Sequence, residues 1–316
     1  MSTVTDNDTN NTVTPITDAA RDIRSSMGAV KVSFSWLGTR RSLSDAQTRQ
    51  AANQFDADAE LVSAYKKLID TKHPAFKAVN AVKGQVVNYW RGITLPYPTE
   101  GVRLIKRDDI EGFDRRMQEF RDELREAVAN LQLEYESLKA RAREHLGALY
   151  DPSDYPASLE AEFSITWEYP PVEPPRYLMN FNPELYAQEQ ARIQTRFEQA
   201  VTMAEDAFAD QLQDLVGHLI ERLTDKSDGQ PKIFRNSAVE NFREFYEQFK
   251  RLNVRGNTEL DALVSRANDL VSGVDPQDLR DSAIRRQELK NQMHEVRNTL
   301  DELLANQPRR RVMRMD

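Results

Sequence analysis

The sequence predicts a mainly α-helical protein built on a long, coiled-coil-like antiparallel helical hairpin, with a small β element at one end and a helical C-terminal region. Three observations lead to this fold class. Apolar residues recur every three or four positions through two stretches of about forty residues, which indicates two long amphipathic helices. A short segment between them alternates with a period of two and ends in prolines, so it cannot join either helix. The remainder after the second stretch is again helical in pattern.

The composition favours an elongated intracellular protein. Hydrophobic residues make up 39% and charged residues 30% of the 316 residues. A compact globule of this length usually carries more apolar residues, about 45–50%. The chain has no cysteine, which excludes disulfides and thiolate catalysis. No apolar run reaches the roughly eighteen residues of a membrane span, and the polar N-terminal stretch has no secretory pattern, so we expect no membrane association.

The first 107 residues divide into a polar tail and a basic region. Residues 1–14 are rich in Ser, Thr, Asn and Asp and are predicted to be disordered. Residues 15–107 are predicted to contain a strand and short helices. The segment 30–36 alternates apolar and polar residues as a strand does. Pro74 is well placed as the first residue of a helix that ends near Trp90.

Residues 108–224 are predicted to form the long helical hairpin. From Ile110 to Leu149 the apolar positions step by three and four, with a mean of about 3.5 residues, which is the repeat of a left-handed coiled coil. A second helix is predicted to begin after Asn182, whose side chain can cap it, with Pro183 in the first position. Two matched helices in sequence most simply fold back on each other.

A Pro-rich β insertion is predicted between these helices, at residues 151–181. Its stretch "EFSITWEY" alternates in character, and four prolines follow within six positions. A lone strand is not stable in water, so we expect it to pair with the strand at 30–36. A rigid aromatic element with an exposed edge is suited to docking a partner. The predicted partner-binding residues are Trp167, Tyr169, Pro170 and Pro171.

Residues 225–306 are predicted to be helical, and residues 307–316 to form a basic tail. The stretch "NSAVENFREFYEQFKRL" carries a helical face with many aromatic residues. Thr258 is placed to cap a short helix, and Asp275 with Pro276 to begin one last long helix.

The sequence carries no catalytic or cofactor-binding motif that we recognise. It has no Gly-rich phosphate loop and no nucleophile-elbow serine. His145 and His218 fall on the two long helices, but the Glu-x-x-His pairs of a metal site in a helical bundle are absent. The abundant carboxylates fit the solvated faces of helices. We therefore expect no enzyme, no catalytic residue, no cofactor and no bound metal.

A basic tract runs from Lys66 to Arg107 and carries a net charge of +7, against −8 for the whole chain. Aromatic residues interleave with its cations, as in surfaces that bind phosphates and stack on unpaired bases. The same charge can equally dock an acidic partner or a second copy of this acidic chain. The candidate residues for binding nucleic acid or an acidic partner are Lys66, Lys67, Lys72, Lys77, Lys83, Arg91, Arg103, Lys106 and Arg107.

Three stretches carry a resemblance to a known family: "ITLPYPTEGVRLIKRDDIEGF", "FRDELREAVANLQLEYESLKARAREHLGALYDPSDYPASLEAEFSITWEYPPV" and "KIFRNSAVENFREFYEQFKRLNVRGNTELDALV". Through them the chain resembles a family of phage and bacterial helical proteins of unknown function. In bacterial genomes this family lies beside MoxR-type AAA+ ATPases and von Willebrand A-domain (VWA) proteins. The resemblance implies an adaptor next to an ATP-driven assembly, in the cytoplasm of a bacterial or phage-infected cell. It transfers no catalytic residue.

The predicted function is a non-enzymatic scaffold or adaptor that mediates protein–protein interaction. The alternative is a nucleic-acid-associated protein that binds through the basic tract. A third interpretation, an enzyme with an unrecognised site, requires a deep pocket with convergent polar groups. The apolar residues along the two long predicted helices can pack within one chain or between two copies of it, so a homo-oligomer is also compatible with the sequence.

Overall fold

The computed structural model describes residues 16–224 and 237–306, and over these residues the chain is mainly α-helical with a small antiparallel sheet. The tails predicted at 1–14 and 307–316 lie outside the described residues. The helices are α1 (Asp18–Ser26), α2 (Asp45–Asn53), α3 (Pro74–Ile93), α4 (Ile110–Leu146), α5 (Tyr177–Phe181), α6 (Pro183–Leu223), α7 (Ser237–Leu252), α8 (Thr258–Ser272), α9 (Pro276–Asp281) and α10 (Ala283–Asn306). The strands are β1 (Met27–Ser35), β2 (Arg40–Ser42), β3 (Tyr65–Lys67), β4 (Thr94–Pro96), β5 (Val102–Lys106) and β6 (Ser164–Glu168). Within this part of the chain, every helix is too short or too polar to cross a membrane.

The chain divides into two compact units. Of the described residues, unit 1 contains 16–29, 93–106, 171–224 and 237–306, and unit 2 contains 30–92 and 107–170. The long helix α4 belongs to unit 2, and the long helix α6 belongs to unit 1. The two long helices are therefore confirmed, whereas their pairing as one antiparallel hairpin is not confirmed.

Helix α4 follows the apolar rhythm from which it was predicted. Its buried side chains are those at the expected seam positions, namely Phe113, Met117, Phe120, Leu124, Val128, Leu131, Tyr135 and Leu138. The helix ends where Gly147 takes φ of +50°, a conformation that glycine adopts without strain. The last predicted seam residue, Leu149, consequently lies beyond the helix in a short 3-10 turn.

In unit 2, the two predicted strands pair as expected. Strand β6 lies antiparallel to β1, with Trp167 opposite Val32 and Ile165 opposite Phe34. Aromatic contacts join the helices: the ring of Tyr89 on α3 stacks 6.0 Å from that of Phe113 on α4. The prolines after β6 exclude the strand from any helix, as the sequence indicates.

In unit 1, α6 begins as predicted, because the side chain of Asn182 accepts a hydrogen bond from the backbone N–H of Leu185 at 3.0 Å. Its apolar seam is covered by helices of the same unit, with α1 and α10 making the most extensive contacts. The aromatic face predicted for α7 packs against this seam, where Phe249 lies edge-on to Phe208 at 5.0 Å.

Four further features of unit 1 depart from or add to the sequence prediction. Helix α1 was not predicted; Thr17 caps it, and Arg24 forms a 2.6 Å ion pair with Glu173. Asn257 rather than Thr258 caps α8. The last long helix is interrupted at Ser282, which separates α9 from α10. Strands β4 and β5 pair antiparallel, with Leu95 opposite Leu104.

Candidate partner-binding groove

An open groove of about 680 Å³ lies in unit 2 between α4 and the segment that contains β6. Leu124 and Val128 of α4, together with Phe163 and Ile165 of the opposite wall, form its apolar floor. Arg121, Arg125 and Gln132 add polar groups to the α4 wall, and Glu160 adds a carboxylate to the opposite wall. This combination of an apolar floor with a few polar groups is typical of binding sites in proteins.

The two walls of the groove are joined at both ends by hydrogen bonds. At one end the indole N–H of Trp167 donates to Oδ1 of Asp114 at 2.7 Å. At the other end the backbone N–H of Leu159 donates to Oε1 of Gln132 at 2.8 Å. Asp114 and Gln132 are about 27 Å apart along α4. The groove lies between these two anchor points and is therefore open without any rearrangement of its walls.

Strand β6 presents an unpaired edge. It pairs with β1 on one side, and no other strand of the described residues pairs with it. Such an edge carries a row of main-chain N–H and C=O groups that can pair with another chain. Ser164 to Thr166 of this strand also line the groove.

The structure gives the predicted docking residues different environments. Trp167 is half-buried, because its ring lies under the guanidinium of Arg121 at 4.5 Å and its N–H is bound to Asp114. Tyr169 is 41% exposed. Partial burial raises the pKa of its phenol above the ordinary value, and the nearby negative charge of Asp114 raises this pKa further. Pro170 is half-buried in unit 2, whereas Pro171 is exposed and belongs to unit 1.

The nine cations predicted as a basic surface are divided between the two units. Arg103 and Lys106 belong to unit 1, where Arg103 donates to the hydroxyl of Thr94 at 2.7 Å. In unit 2, Lys83 is half-buried and its ammonium group lies 4.8 Å from the ring of Trp36. Lys66 is half-buried, and its ammonium group lies 2.6 Å from the carboxylate of Asp154. The remaining five are exposed residues of unit 2: Lys67, Lys72, Lys77, Arg91 and Arg107.

Two further cations that the sequence analysis missed join the exposed ones. The two-stranded antiparallel sheet of β2 and β3 places Arg40 opposite Lys67 and Arg41 opposite Lys66, and Arg41 forms a 3.7 Å ion pair with Asp154. Arg40 lies 4.7 Å from the ring centre of Tyr65, which is 56% exposed. The adjacent arginines at 40 and 41 were the available signal, but they precede the basic tract by more than twenty residues.

Sequence analysis also missed the contribution of Arg121 and Gln132 to the groove, because the helical pattern places them among the polar residues of a solvent-exposed face. Their role depends on which segment faces them, and that segment is distant in sequence. As for metals, no group of three or more histidine, aspartate or glutamate side chains in residues 16–224 and 237–306 is placed to hold an ion.

Comparison of the chain with protein-family models, with curated proteins and with solved structures finds no match. The resemblance noted from the sequence therefore stays a prediction. No functional residue is transferred from another protein, and the candidate groove rests on the geometry of this chain.

Proposed function

We propose that this protein is a non-enzymatic helical scaffold or adaptor that binds a partner protein through the groove between α4 and β6. The observation that carries the proposal is that a preformed apolar groove lies beside an unpaired strand edge. Exposed strand edges and apolar grooves are recurring surfaces by which proteins capture segments of other proteins.

The first test fills the groove from a position that the fold tolerates. Ala129 lines the groove, yet it is an exposed residue of α4, so Ala129→Trp adds bulk without disturbing the core. We expect this variant to lose partners that the wild-type chain retains from a lysate of its native host, as measured by quantitative mass spectrometry.

The matched control is Asn130→Trp, because Asn130 is the next exposed residue of α4 and does not line the groove. It should retain the same partners as the wild-type chain. Equal retention by all three proteins would show that the groove is not the binding site.

The resemblance supplies the first partners to examine. An assembly that contains a MoxR-type AAA+ ATPase or a VWA protein, in the cytoplasm of a bacterial or phage-infected cell, is our proposed setting. If purified proteins of these two classes from the same genome bind neither the wild-type chain nor Asn130→Trp, this setting is wrong, although the groove can still serve another partner.

The antiparallel hairpin of α4 and α6 remains a hypothesis about how the scaffold is built. Since the chain has no cysteine, pairs of introduced cysteines can test it without background. A hairpin predicts cross-links whose positions run in opposite directions along the two helices. Absence of cross-links in every register would rule it out.

Nucleic-acid binding is the second candidate function, and the two-stranded sheet of β2 and β3 favours it. There an exposed Tyr65 lies beside Arg40 and Lys67, which is the combination of stacking ring and cation that binds single strands. We expect any such affinity to fall steeply with salt and to be lost when Lys67, Lys72 and Lys77 are changed to Glu. No binding of DNA or RNA at low salt would remove this candidate.

A further inference from the structure

We infer that the groove takes an extended segment of a partner protein, which adds as a strand to the unpaired edge of β6 and places a carboxylate against Arg121. This inference rests on the proposed function and specifies its occupant. It depends on four features of unit 2: the strand edge, the anchored walls, the apolar floor and an arginine without an acidic partner.

The strand edge supplies main-chain recognition. The five residues of β6 extend over about 17 Å, and Ser164 to Thr166 line the groove. A peptide lying there in extended form can exchange N–H···O=C hydrogen bonds with the edge, which would give affinity without regard to side chains. A helix in the same place would leave those main-chain groups unpaired.

The anchored walls make the site ready for such a segment. Trp167 is bound to Asp114 at one end, and Leu159 is bound to Gln132 at the other. Because these hydrogen bonds fix the position of one wall relative to the other, and the groove is already open between them, the incoming strand does not have to separate the walls. A preformed site avoids the ordering cost that weakens binding to mobile surfaces.

The apolar floor selects the pattern of the segment. Side chains of a strand alternate between its two faces, so every second residue of the segment would point toward the floor formed by Leu124, Val128, Phe163 and Ile165. Apolar side chains at alternate positions therefore fit, and β-branched ones suit a strand best.

Arg121 supplies the charge preference. Its guanidinium lies over the ring of Trp167 and donates one hydrogen bond to Gln118 at 3.2 Å, yet it forms no salt bridge with any described residue. By contrast, Arg125, which also lines the groove, is paired with Asp122 at 2.8 Å. The exposed Glu160 lies on the opposite wall, so an incoming carboxylate is expected on the side of the groove formed by α4. A half-buried guanidinium with unused N–H donors in a groove wall binds a carboxylate more strongly than an exposed arginine does.

The probe for this inference is a phage-displayed library of random octapeptides, selected on the full-length chain. We expect the wild-type chain and Asn130→Trp to enrich peptides that Ala129→Trp does not enrich. These peptides should carry apolar residues at alternate positions and be rich in Asp or Glu. On Arg121→Glu the acidic preference should disappear and basic residues should take its place. Arg115→Glu, a charge reversal on an exposed residue of α4 outside the groove, should select as the wild-type chain does.

A consensus octapeptide then tests the geometry. We expect its binding to Arg121→Glu to be at least about tenfold weaker than to the wild-type chain. Methylation of alternate backbone amides should weaken binding by about tenfold when it falls on the edge that faces β6, and should have little effect when it falls on the other edge. Circular dichroism and thermal denaturation of each variant establish that it is folded.

Three outcomes would overturn the inference. If Ala129→Trp loses protein partners but no octapeptide is enriched, the occupant is the surface of a folded protein. The proposed function then stands, but the inference that a partner segment adds as a strand to β6 is wrong. If enriched peptides depend on the groove but show neither acidic preference nor sensitivity to amide methylation, another mode of binding applies. If the wild-type chain self-associates and Ala129→Trp is monomeric, the occupant is a second copy.

Discussion

Replacing Lys66 with alanine is expected to lower the free energy of unfolding of unit 2 by about 2 kcal/mol, because it leaves the carboxylate of Asp154 with only a more distant cation, the exposed Arg41 at 3.7 Å. The Lys66 ammonium group lies 2.6 Å from Oδ2 of Asp154 and donates to the carbonyl oxygen of Leu149 at 2.7 Å. The two side chains are only 9% and 16% exposed. Surface ion pairs contribute little, but breaking a buried pair from one side is costly.

Tryptophan fluorescence during urea denaturation measures this effect selectively. All three tryptophans, Trp36, Trp90 and Trp167, belong to unit 2. A loss of about 2 kcal/mol should move the denaturation midpoint by about 1 M urea. Lys67→Ala is the matched control, since Lys67 is the exposed neighbour in the same strand, and it should change the free energy of unfolding by less than about 0.5 kcal/mol.

The double variant Lys66→Met with Asp154→Leu separates the ion pair from the packing around it. Removing both charges leaves no unpaired carboxylate, so this variant should be more stable than Lys66→Ala. If Lys66→Ala instead unfolds like the wild-type chain and loses nucleic-acid binding, Lys66 is a binding residue, as the sequence analysis supposed, and not a structural one.

The individual helices could be predicted because their signals are local. The apolar period of α4 defines its buried face, and Asn182 with Pro183 defines the start of α6. The period cannot show what covers that face. In α6 the seam is covered by α1, α7, α8 and α10, which lie far away in sequence. The expectation that consecutive long helices pack on each other does not predict these contacts.

The candidate site was predicted only in part, because its strand has a local signal in the sequence and the residues that face the strand do not. The alternation around Trp167 correctly indicated a strand with an aromatic residue near its end. The residues that complete the groove are on α4, and Arg121 differs from its charged neighbours only through its contact with Trp167, 46 positions later in the chain. Charge counts likewise predicted a basic surface without showing that Lys66 is half-buried and paired with Asp154.

Replacing Glu205 with glutamine is expected to stabilise unit 1 above pH 7 and to have little effect near pH 4.5. Burial raises the pKa of this carboxyl to about 7, and the charges of Asp206 and Asp261 add to the rise. Its Oε1 atom is buried and has no hydrogen-bond partner among the described residues. The turn before α8 closes over it so tightly that a side chain at Gly256 would collide with the carboxyl group.

The sign follows from proton binding in the two states. Between pH 4.5 and 7 the folded chain keeps the Glu205 proton that the unfolded chain releases, so the stability contributed by this group falls as the pH rises. Above pH 7 the folded state holds a poorly solvated carboxylate. Because the side chain is only half-buried, solvent screening reduces the cost to on the order of 2 kcal/mol. A glutamine at this position cannot ionise and does not incur that cost.

Urea denaturation followed by far-ultraviolet circular dichroism at pH 4.5, 6 and 8 checks the expected trend. The difference in free energy of unfolding between Glu205→Gln and the wild-type chain should grow from near zero to its full value across this range. Asp214→Asn, at an exposed position of the same helix, is the control and should give no such growth. A constant difference at all three pH values would mean that the pKa of Glu205 is not raised in the folded state, and that the closed turn at Gly256 does not exclude water from its carboxyl group.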